Sequence, residues 1–193
     1  MASYQLFLQK SYKDVTMKEI SEKVGMTKGS FYHHFKSKEE IFSEIIHEYF
    51  LDNLSSIAYE SFSQNSLKQF YLDYLQSSGK VSKSLFNEQV GAKEESSVNP
   101  LVLLFEAFRI LPEVKTKVLQ LYSKEQKAWE KVIRRAKENQ EIKSSMPDRD
   151  IAKMFIYLND GCGLRYLQEN KTLPSVKKDL LPIYNGIYEM LKV

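Results

Sequence analysis

The sequence predicts an all-α protein. Glycine and proline are scarce, at 7 and 5 of 193 residues, so few positions interrupt a helix. Apolar residues recur at three- and four-residue spacing along most of the chain, which is the period of an amphipathic helix. No stretch shows the strict alternation and tight turns that a sheet requires. These observations favour helices packed on helices throughout.

Composition restricts the class of protein further. The chain is 42% hydrophobic and 27% charged, which is a globular balance. No apolar run approaches the ~20 residues of a membrane span, and the first residues lack the basic and apolar regions of a secretion signal. Cys162 is the single cysteine of the sequence, so no internal disulfide can form. We therefore expect a cytoplasmic protein with no membrane partner.

The first 40 residues contain two sequence patterns that are typical of a helix N-terminus. Thr16 followed by Glu19 matches a capping box, in which the threonine oxygen accepts a backbone N–H and the glutamate reaches back to the cap. Ser37 followed by Glu40 matches a second box. The second box opens an apolar face that predicts a helix from about 38 to about 60.

The rest of the chain predicts further helices, separated by glycine and proline. Gly79, Gly91 and Pro112 are among these interruptions. Asp148 is predicted to cap one helix, and Pro182 to lie within the last one or at its start, where it would kink or separate the first turn. The predicted ranges are about 66–78, 82–92, 100–110, 113–139, 148–170 and 175–192.

The stretch between Thr16 and Lys38 reads as a helix-turn-helix. Thr16 starts a helix of about two turns, and Gly25 supplies the positive φ that ends it. Thr27 then caps a second short helix that ends near Phe35. Two short helices joined by a three-residue turn with a glycine form this motif.

The second of these helices has side chains suited to the DNA major groove. Lysine can donate to guanine, serine can pair with several base edges, and glycine lets the backbone approach. Phe31 and Phe35 lie four apart and are expected to hold the helix onto the core from behind. The segment 27–38 carries three lysines and no acid. The predicted DNA-binding residues are Thr16, Thr27, Lys28, Gly29, Ser30, Tyr32, His33, His34, Lys36 and Lys38.

This segment resembles the DNA-binding domain of the tetracycline repressor (TetR) family. It carries T-x-x-x-I, V-G, T-K-G-S-F-Y-x-H-F and K-S-K-E in the family's order and spacing. The resemblance implies that Thr16, Tyr32, His34 and Lys38 contact phosphates, that the segment 27–30 lies against base edges, and that His33 does either. It also implies a DNA-binding domain over 1–48 and a helical ligand-binding and dimerisation domain over 49–193.

The resemblance is incomplete at the N-terminus. Family members usually have ten or more residues ahead of the position of Ala2, so residues 2–10 correspond to the second half of the family's first helix. We therefore expect a truncated first helix. A trimmed chain or a displaced start codon would each account for it, and arm contacts to DNA that members often add are not implied here.

The family also implies a mechanism. The chain would act as a homodimer on a near-palindromic operator, paired through the last two helices (about 148–170 and 175–192), and a small molecule would release it. The preference for repression over activation comes from the family alone. Aromatic residues in the middle helices are usually core, yet the family's pocket opens there, so we expect an apolar or aromatic effector with Glu106 and Arg109 as candidate polar partners. The candidate pocket residues are Phe70, Tyr74, Phe105, Phe108, Arg109, Tyr122, Trp129 and Tyr157.

Two other classes of function stay open at this point. A protein that senses a ligand but has lost DNA binding would be compatible with an incomplete first helix. An enzyme is disfavoured, because the sequence shows no nucleophile–base pair, metal-ligand set or phosphate-binding loop. His33 and His34 have no cysteine or carboxylate at metal-ligand spacing. We therefore expect no catalytic residue, no metal and no cofactor.

Overall fold

The computed structural model describes residues 2–85, 100–168 and 174–193, and its regular elements within those ranges are helices. The all-α prediction is confirmed. A 3-10 turn at Tyr12–Asp14 precedes the second helix, and another at Tyr59–Ser61 precedes the sixth. The α-helices are α1 (Ala2–Gln9), α2 (Met17–Val24), α3 (Lys28–His34), α4 (Lys38–Ile46), α5 (Asp52–Ser55), α6 (Leu67–Leu85), α7 (Pro100–Ile110), α8 (Pro112–Glu138), α9 (Asp148–Gln168) and α10 (Pro174–Leu191).

Helix α4 continues into a π-helical turn at His47–Leu51, and α5 follows directly. In that turn the backbone N–H of Asp52 donates to the carbonyl of His47, five residues earlier. The helix that the sequence predicted to reach about residue 60 therefore ends at Ser55. No glycine or proline separates Lys38 from residue 60, so the sequence carried no strong stop signal.

The later helices agree with the prediction in part. The helices predicted at 100–110 and 113–139 are confirmed as α7 and α8. The helix predicted to stop before Gly79 instead runs through it to Leu85, because buried Leu75 and Val81 continue its apolar face on either side. The predicted helix 82–92 begins inside α6, and its part from 86 onward lies outside the described residues.

The predictions for Asp148 and Pro182 have different outcomes, since Asp148 differs from its predicted position and Pro182 lies within the last helix as one of the two predicted alternatives. Asp148 is the first residue of α9 rather than a residue preceding it. Its carboxylate forms an ion pair with Lys137 at 2.9 Å. Pro182 lies inside α10, which continues on both sides of it. No separate first turn is present.

The chain divides into two compact units. Unit 1 consists of Met1–Leu54 with Ser84–Leu119, and unit 2 of Ser55–Lys83 with Gln120–Val193. The core of unit 1 is apolar and includes fully buried Phe7, Ile20, Phe31, Phe42 and Leu103. The functional boundary predicted between residues 48 and 49 stays a prediction. The compact units do not test it, because unit 1 also contains Ser84–Leu119 from later in the chain.

Candidate nucleic-acid interface

The start of α2 is fixed by the capping box that the sequence predicted. The backbone N–H of Glu19 donates to the hydroxyl of Thr16 at 3.2 Å, and the N–H of Thr16 donates to the Glu19 carboxylate at 2.8 Å. Lys10 forms an ion pair with the same carboxylate. Hydrogen bonding from Lys10, and then from Thr16, lowers the pKa of Glu19 to about 2. The polar groups of Thr16 are therefore engaged in starting the helix.

The turn between α2 and α3 depends on Gly25. Its φ of 74° lies in the left-handed region, and its N–H donates to the carbonyl of Glu22. Thr27 then caps α3 by accepting the N–H of Ser30 at 3.4 Å. The predicted helix-turn-helix is present, with α2 ending at Val24 and α3 beginning at Lys28.

Phe31 holds α3 onto the core of unit 1. Its side chain is fully buried, and its ring packs at an angle against Phe35, with centroids 5.5 Å apart. On α2, Ile20 is fully buried and the small side chain of Ser21 is also buried. The buried ring fixes which side of α3 faces outward.

The outward side of α3 is exposed. Tyr32 is 44% exposed, and the rings of His33 and His34 lie edge to face at 5.7 Å. Lys28 forms no ion pair with any residue that the structure describes. The predicted DNA-binding residues that are exposed are Thr16, Thr27, Lys28, Gly29, Ser30, Tyr32, His33, His34 and Lys36. The outward side of α3 is therefore accessible to a partner from solution.

Lys38 is arranged differently from the other predicted contacts. Its ammonium donates to the carbonyls of Tyr12 at 2.9 Å, Val15 at 2.8 Å and Lys13 at 3.5 Å. The same ammonium lies 4.4 Å from the centre of the Tyr12 ring. An ammonium has three donors, so these bonds engage all of them within the protein. Lys38 thus ties the connection between α1 and α2 to the start of α4, a role that its position in the sequence did not indicate.

The second predicted capping box is wrong in its reciprocal half. The Ser37 hydroxyl accepts the N–H of Glu40 at 3.1 Å, as expected. The Glu40 carboxylate, however, accepts the N–H of Lys36 at 2.8 Å, one residue before the cap. Glu40 therefore also fixes the backbone just after α3.

The predicted pocket residues fall into separate groups. In unit 2, buried Phe70, Tyr74 and Trp129 pack ring against ring, with Trp129 4.9 Å from Phe70 and 5.0 Å from Tyr74. Tyr122 and Tyr157 of the same unit are exposed at 49% and 61%. These five therefore do not share one enclosed environment.

The remaining pocket candidates lie on α7 in unit 1. The rings of Phe105 and Phe108 are 6.1 Å apart, and Phe105 and Arg109 are exposed. Glu106, expected to be a polar partner in the pocket, instead accepts the N–H of Tyr12 at 3.0 Å. A polar group that sequence reasoning missed lies in unit 2, where Tyr74 donates to the buried carboxyl of Glu125 at 2.7 Å. The position of Glu125 on a long, highly charged helix did not indicate that its side chain is buried.

Two other kinds of feature are absent from the described residues. They contain no group of three or more histidine, cysteine or acidic side chains placed to hold a metal ion. None of their helices has the length and apolar character needed to cross a bilayer.

Comparison with known proteins agrees with this geometry. Residues 1–45 match the family described as bacterial regulatory proteins, tetR family. The chain is 31% identical over 113 residues to the HTH-type transcriptional regulator YerO of Bacillus subtilis, covering 58% of this chain and 35% of YerO. It is 27% identical over 156 residues to the HTH-type transcriptional repressor KstR2 of Mycolicibacterium smegmatis, covering 80% of this chain and 69% of KstR2. The match to YerO thus spans about a third of that protein.

The fold is shared with solved structures. NalD, the secondary repressor of the MexAB-OprM multidrug efflux pump in Pseudomonas aeruginosa, superposes with a TM-score of 0.62 at 18% identity, covering 96% of this chain and 91% of NalD. At that identity the likeness concerns the fold. The helix-turn-helix geometry, the family match over residues 1–45 and the relatives agree, and the N-terminal residues of the chain are similar to the tetR family of bacterial regulatory proteins.

Proposed function

We propose that the protein is a sequence-specific DNA-binding transcriptional regulator, acting as a homodimer on a near-palindromic operator and released from it by a small molecule. The observation that supports DNA binding most directly is the arrangement of α3. Buried Phe31 packs one side of the helix against the core, and Lys28, Ser30 and Tyr32 are exposed elsewhere on the helix. A short helix that packs on the core through one side and exposes hydrogen-bond donors on the other suits the DNA major groove.

The exposed residues divide into two roles. Thr27, Lys28, Gly29 and Ser30 begin the helix and are assigned to base edges, where lysine and serine can read donor and acceptor patterns. Tyr32, His33, His34 and Lys36 follow and are assigned mainly to phosphates. Phosphate contacts set the position of the protein on the duplex, and base contacts set its sequence preference.

The homodimer is proposed to form through α9 and α10. Each carries large apolar side chains exposed to solvent in the single chain, including Leu164 on α9 and Ile183 and Met190 on α10. A two-fold dimer uses the same patch on both copies. Residues 169 and 170, at the end of the first predicted range, lie outside the described residues. The two copies of α3 should then be separated by about one DNA turn, roughly 34–36 Å.

Release by a ligand requires a difference in affinity between two conformations. A ligand that binds better to the form with wrongly spaced reading helices weakens DNA binding by that difference. Typical coupling of ~1–3 kcal/mol corresponds to roughly 5–150-fold weaker binding.

The test is operator binding by single variants of the full chain. Lys28→Ala should weaken specific binding by ~1–3 kcal/mol and relax the preference at one base position. Tyr32→Phe should weaken binding on all sequences alike. Lys117→Ala is the control, because it removes the same charge from an exposed position on α8. If Lys28→Ala behaves like Lys117→Ala, α3 does not read DNA.

Salt dependence separates this proposal from a protein that has lost DNA binding. A regulator that contacts several phosphates loses affinity steeply as salt rises, because binding releases counterions. A flat dependence would favour the alternative.

A further inference from the structure

A buried carboxyl lies among aromatic rings in unit 2. Glu125 on α8 is 9% exposed, and the hydroxyl of Tyr74 on α6 donates to it at 2.7 Å. The hydroxyl of Tyr59, in the 3-10 turn before α6, also interacts with the carboxyl. Burying a carboxylate is costly unless hydrogen bonds or an opposite charge compensate it. The hydroxyls of Tyr74 and Tyr59 compensate the burial of the Glu125 carboxylate only in part.

The surroundings of Glu125 add negative charge. Asp160 on α9 interacts electrostatically with it, and no basic side chain among the described residues is a partner of either carboxyl. Lys124, the adjacent base on α8, forms its ion pair with Glu60 instead. Burial, and then Asp160, raise the pKa of Glu125 to about 7, and loss of hydration beside the surrounding protein raises the pKa of Asp160 although its residue is exposed. The groups that face Glu125 are Tyr59, Tyr74 on α6, Tyr122 on α8, Asp160 on α9 and Tyr184 on α10.

A second, independent observation concerns Trp129. It lies one helical turn beyond Glu125 on α8, and its ring packs 5.0 Å from the ring of Tyr74. Its side chain is 0% exposed, and its indole N–H has no hydrogen-bond acceptor within the described part of the chain. Buried donors are nearly always satisfied in native proteins, so this orphaned one beside Tyr74 shows that the described side chains do not complete the hydrogen bonding of the cluster.

The cluster reaches the protein surface. In the single chain, Tyr122 is 49% exposed and Asp160 is exposed, whereas Tyr59 and Glu125 are buried. A molecule arriving from solution would therefore meet Asp160 and Tyr122 before Glu125. Negative charge at the entry and the interior attracts a cation, and aromatic faces bind one through their negative quadrupoles.

We propose that Glu125 and Asp160, with the tyrosine rings around them, form a binding site for an organic cation that carries an aromatic or alkyl body. This refines the expectation of an apolar or aromatic effector by adding a positive charge. That the cation acts as the effector rests on the proposed regulatory function, whereas its binding does not. The unbalanced carboxyls are the physical reason, since a cation supplies the charge that the described residues do not.

The first test compares two probes of equal shape. Phenyltrimethylammonium and tert-butylbenzene differ in that a charged nitrogen replaces a carbon. Trp129 is the one tryptophan of the sequence, so its fluorescence in the full chain reports binding at this site. We expect phenyltrimethylammonium to bind with a dissociation constant in the millimolar range or tighter, at least about tenfold more tightly than tert-butylbenzene.

Single variants test whether each carboxyl contributes to cation binding. Glu125→Gln keeps an acceptor for Tyr74 and removes the charge, and it should weaken cation binding by about tenfold or more. Asp160→Asn, at an exposed position, should weaken it by a smaller factor. Glu138→Gln makes the same change on exposed α8 surface and should have no effect. Circular dichroism confirms that each variant is folded.

The pH dependence gives a further measure. The cation binds the ionised carboxyl, so its affinity should rise by roughly tenfold from pH 6 to pH 8 as a group with a pKa of about 7 loses its proton. Glu125→Gln should remove most of this dependence. Equal affinity for the two probes, absence of cation binding at millimolar concentration, or an unaffected Glu125→Gln variant would overturn the proposal. DNA binding is measured separately, so its failure would contradict the regulatory function and leave the cation site standing.

Discussion

The carboxylate of Glu141 accepts the backbone N–H of Leu67, the first residue of α6, at 2.9 Å. It also accepts the N–H of Lys68 at 3.2 Å and the hydroxyl of Ser66 at 3.0 Å, and Tyr188 on α10 donates to it at 3.1 Å. The first N–H groups of a helix have no partner within it, so a carboxylate from another segment serves as the cap. One side chain thus joins the start of α6, the connection after α8, and α10.

Glu141→Ala should reduce the free energy of unfolding by about 2 kcal/mol, because it removes a cap and leaves partly buried donors unsatisfied. Glu141→Gln should have a smaller effect, since the amide oxygen still accepts. Urea unfolding measures both. Glu138→Ala, three residues earlier and exposed, serves as the control; an equal loss there would mean that the cap contributes nothing.

Two glycines in the helix-turn-helix should respond to alanine in opposite ways. Neither has an atom within 4 Å of the position of an added Cβ, so steric overlap does not decide the result. Gly25→Ala should destabilise the protein by about 1 kcal/mol, because its φ is positive. Gly29→Ala should stabilise it by up to about 1 kcal/mol, because Gly29 lies within α3.

The same pair separates stability from DNA recognition. Gly29→Ala should weaken operator binding despite its greater stability, because in the proposed interface the added methyl would occupy space where the backbone approaches the bases. Thermal unfolding and DNA titration on the same preparation provide the comparison. Undiminished operator affinity in Gly29→Ala would remove this residue from the proposed interface.

Lys38→Met tests whether this lysine acts within the protein. Removing its hydrogen bonds to three carbonyls should lower stability by about 1–3 kcal/mol, because the two part-buried acceptors, on Tyr12 and Val15, lose a charged donor. A lysine that only contacted phosphate would leave stability unchanged and reduce the salt slope by about one. Chemical unfolding and salt-dependent DNA binding distinguish the two roles. Lys36→Met, at an exposed position, provides the comparison.

Stability should fall as pH rises through the range set by Glu125. Its pKa is raised from 4.5 to about 7 in the folded protein, so between these values the folded state holds a proton that the unfolded state has lost. Stability from this group is therefore full below about pH 4.5, and it is lost progressively up to about pH 7. The free energy of unfolding of Glu125→Gln should exceed that of the wild type by about 3 kcal/mol at pH 8 and match it near pH 4.5. A constant difference across that range would contradict the assignment.

Local chemistry explains what the sequence could predict. The Thr16 cap, the positive φ of Gly25 and the buried Phe31 each depend on residues within a few positions, so pattern and spacing were sufficient. Glu125, Glu141 and Lys38 depend on partners 51, 74 and 26 residues away, respectively. No local pattern encodes such contacts. The same limit explains why the aromatic residues could be counted while their burial could not be assigned.

The π-helical turn at His47–Leu51 has a consequence for comparing related chains. A π-turn holds one residue more than an α-turn over the same span, so losing a single residue there restores regular α-geometry without breaking the helix. Homologues that lack one residue between His47 and Leu51 should therefore retain the preceding turns of α4 unchanged. A one-residue gap placed here in an alignment reflects a change in helical winding, and shifting it into the neighbouring turns would misassign their buried positions.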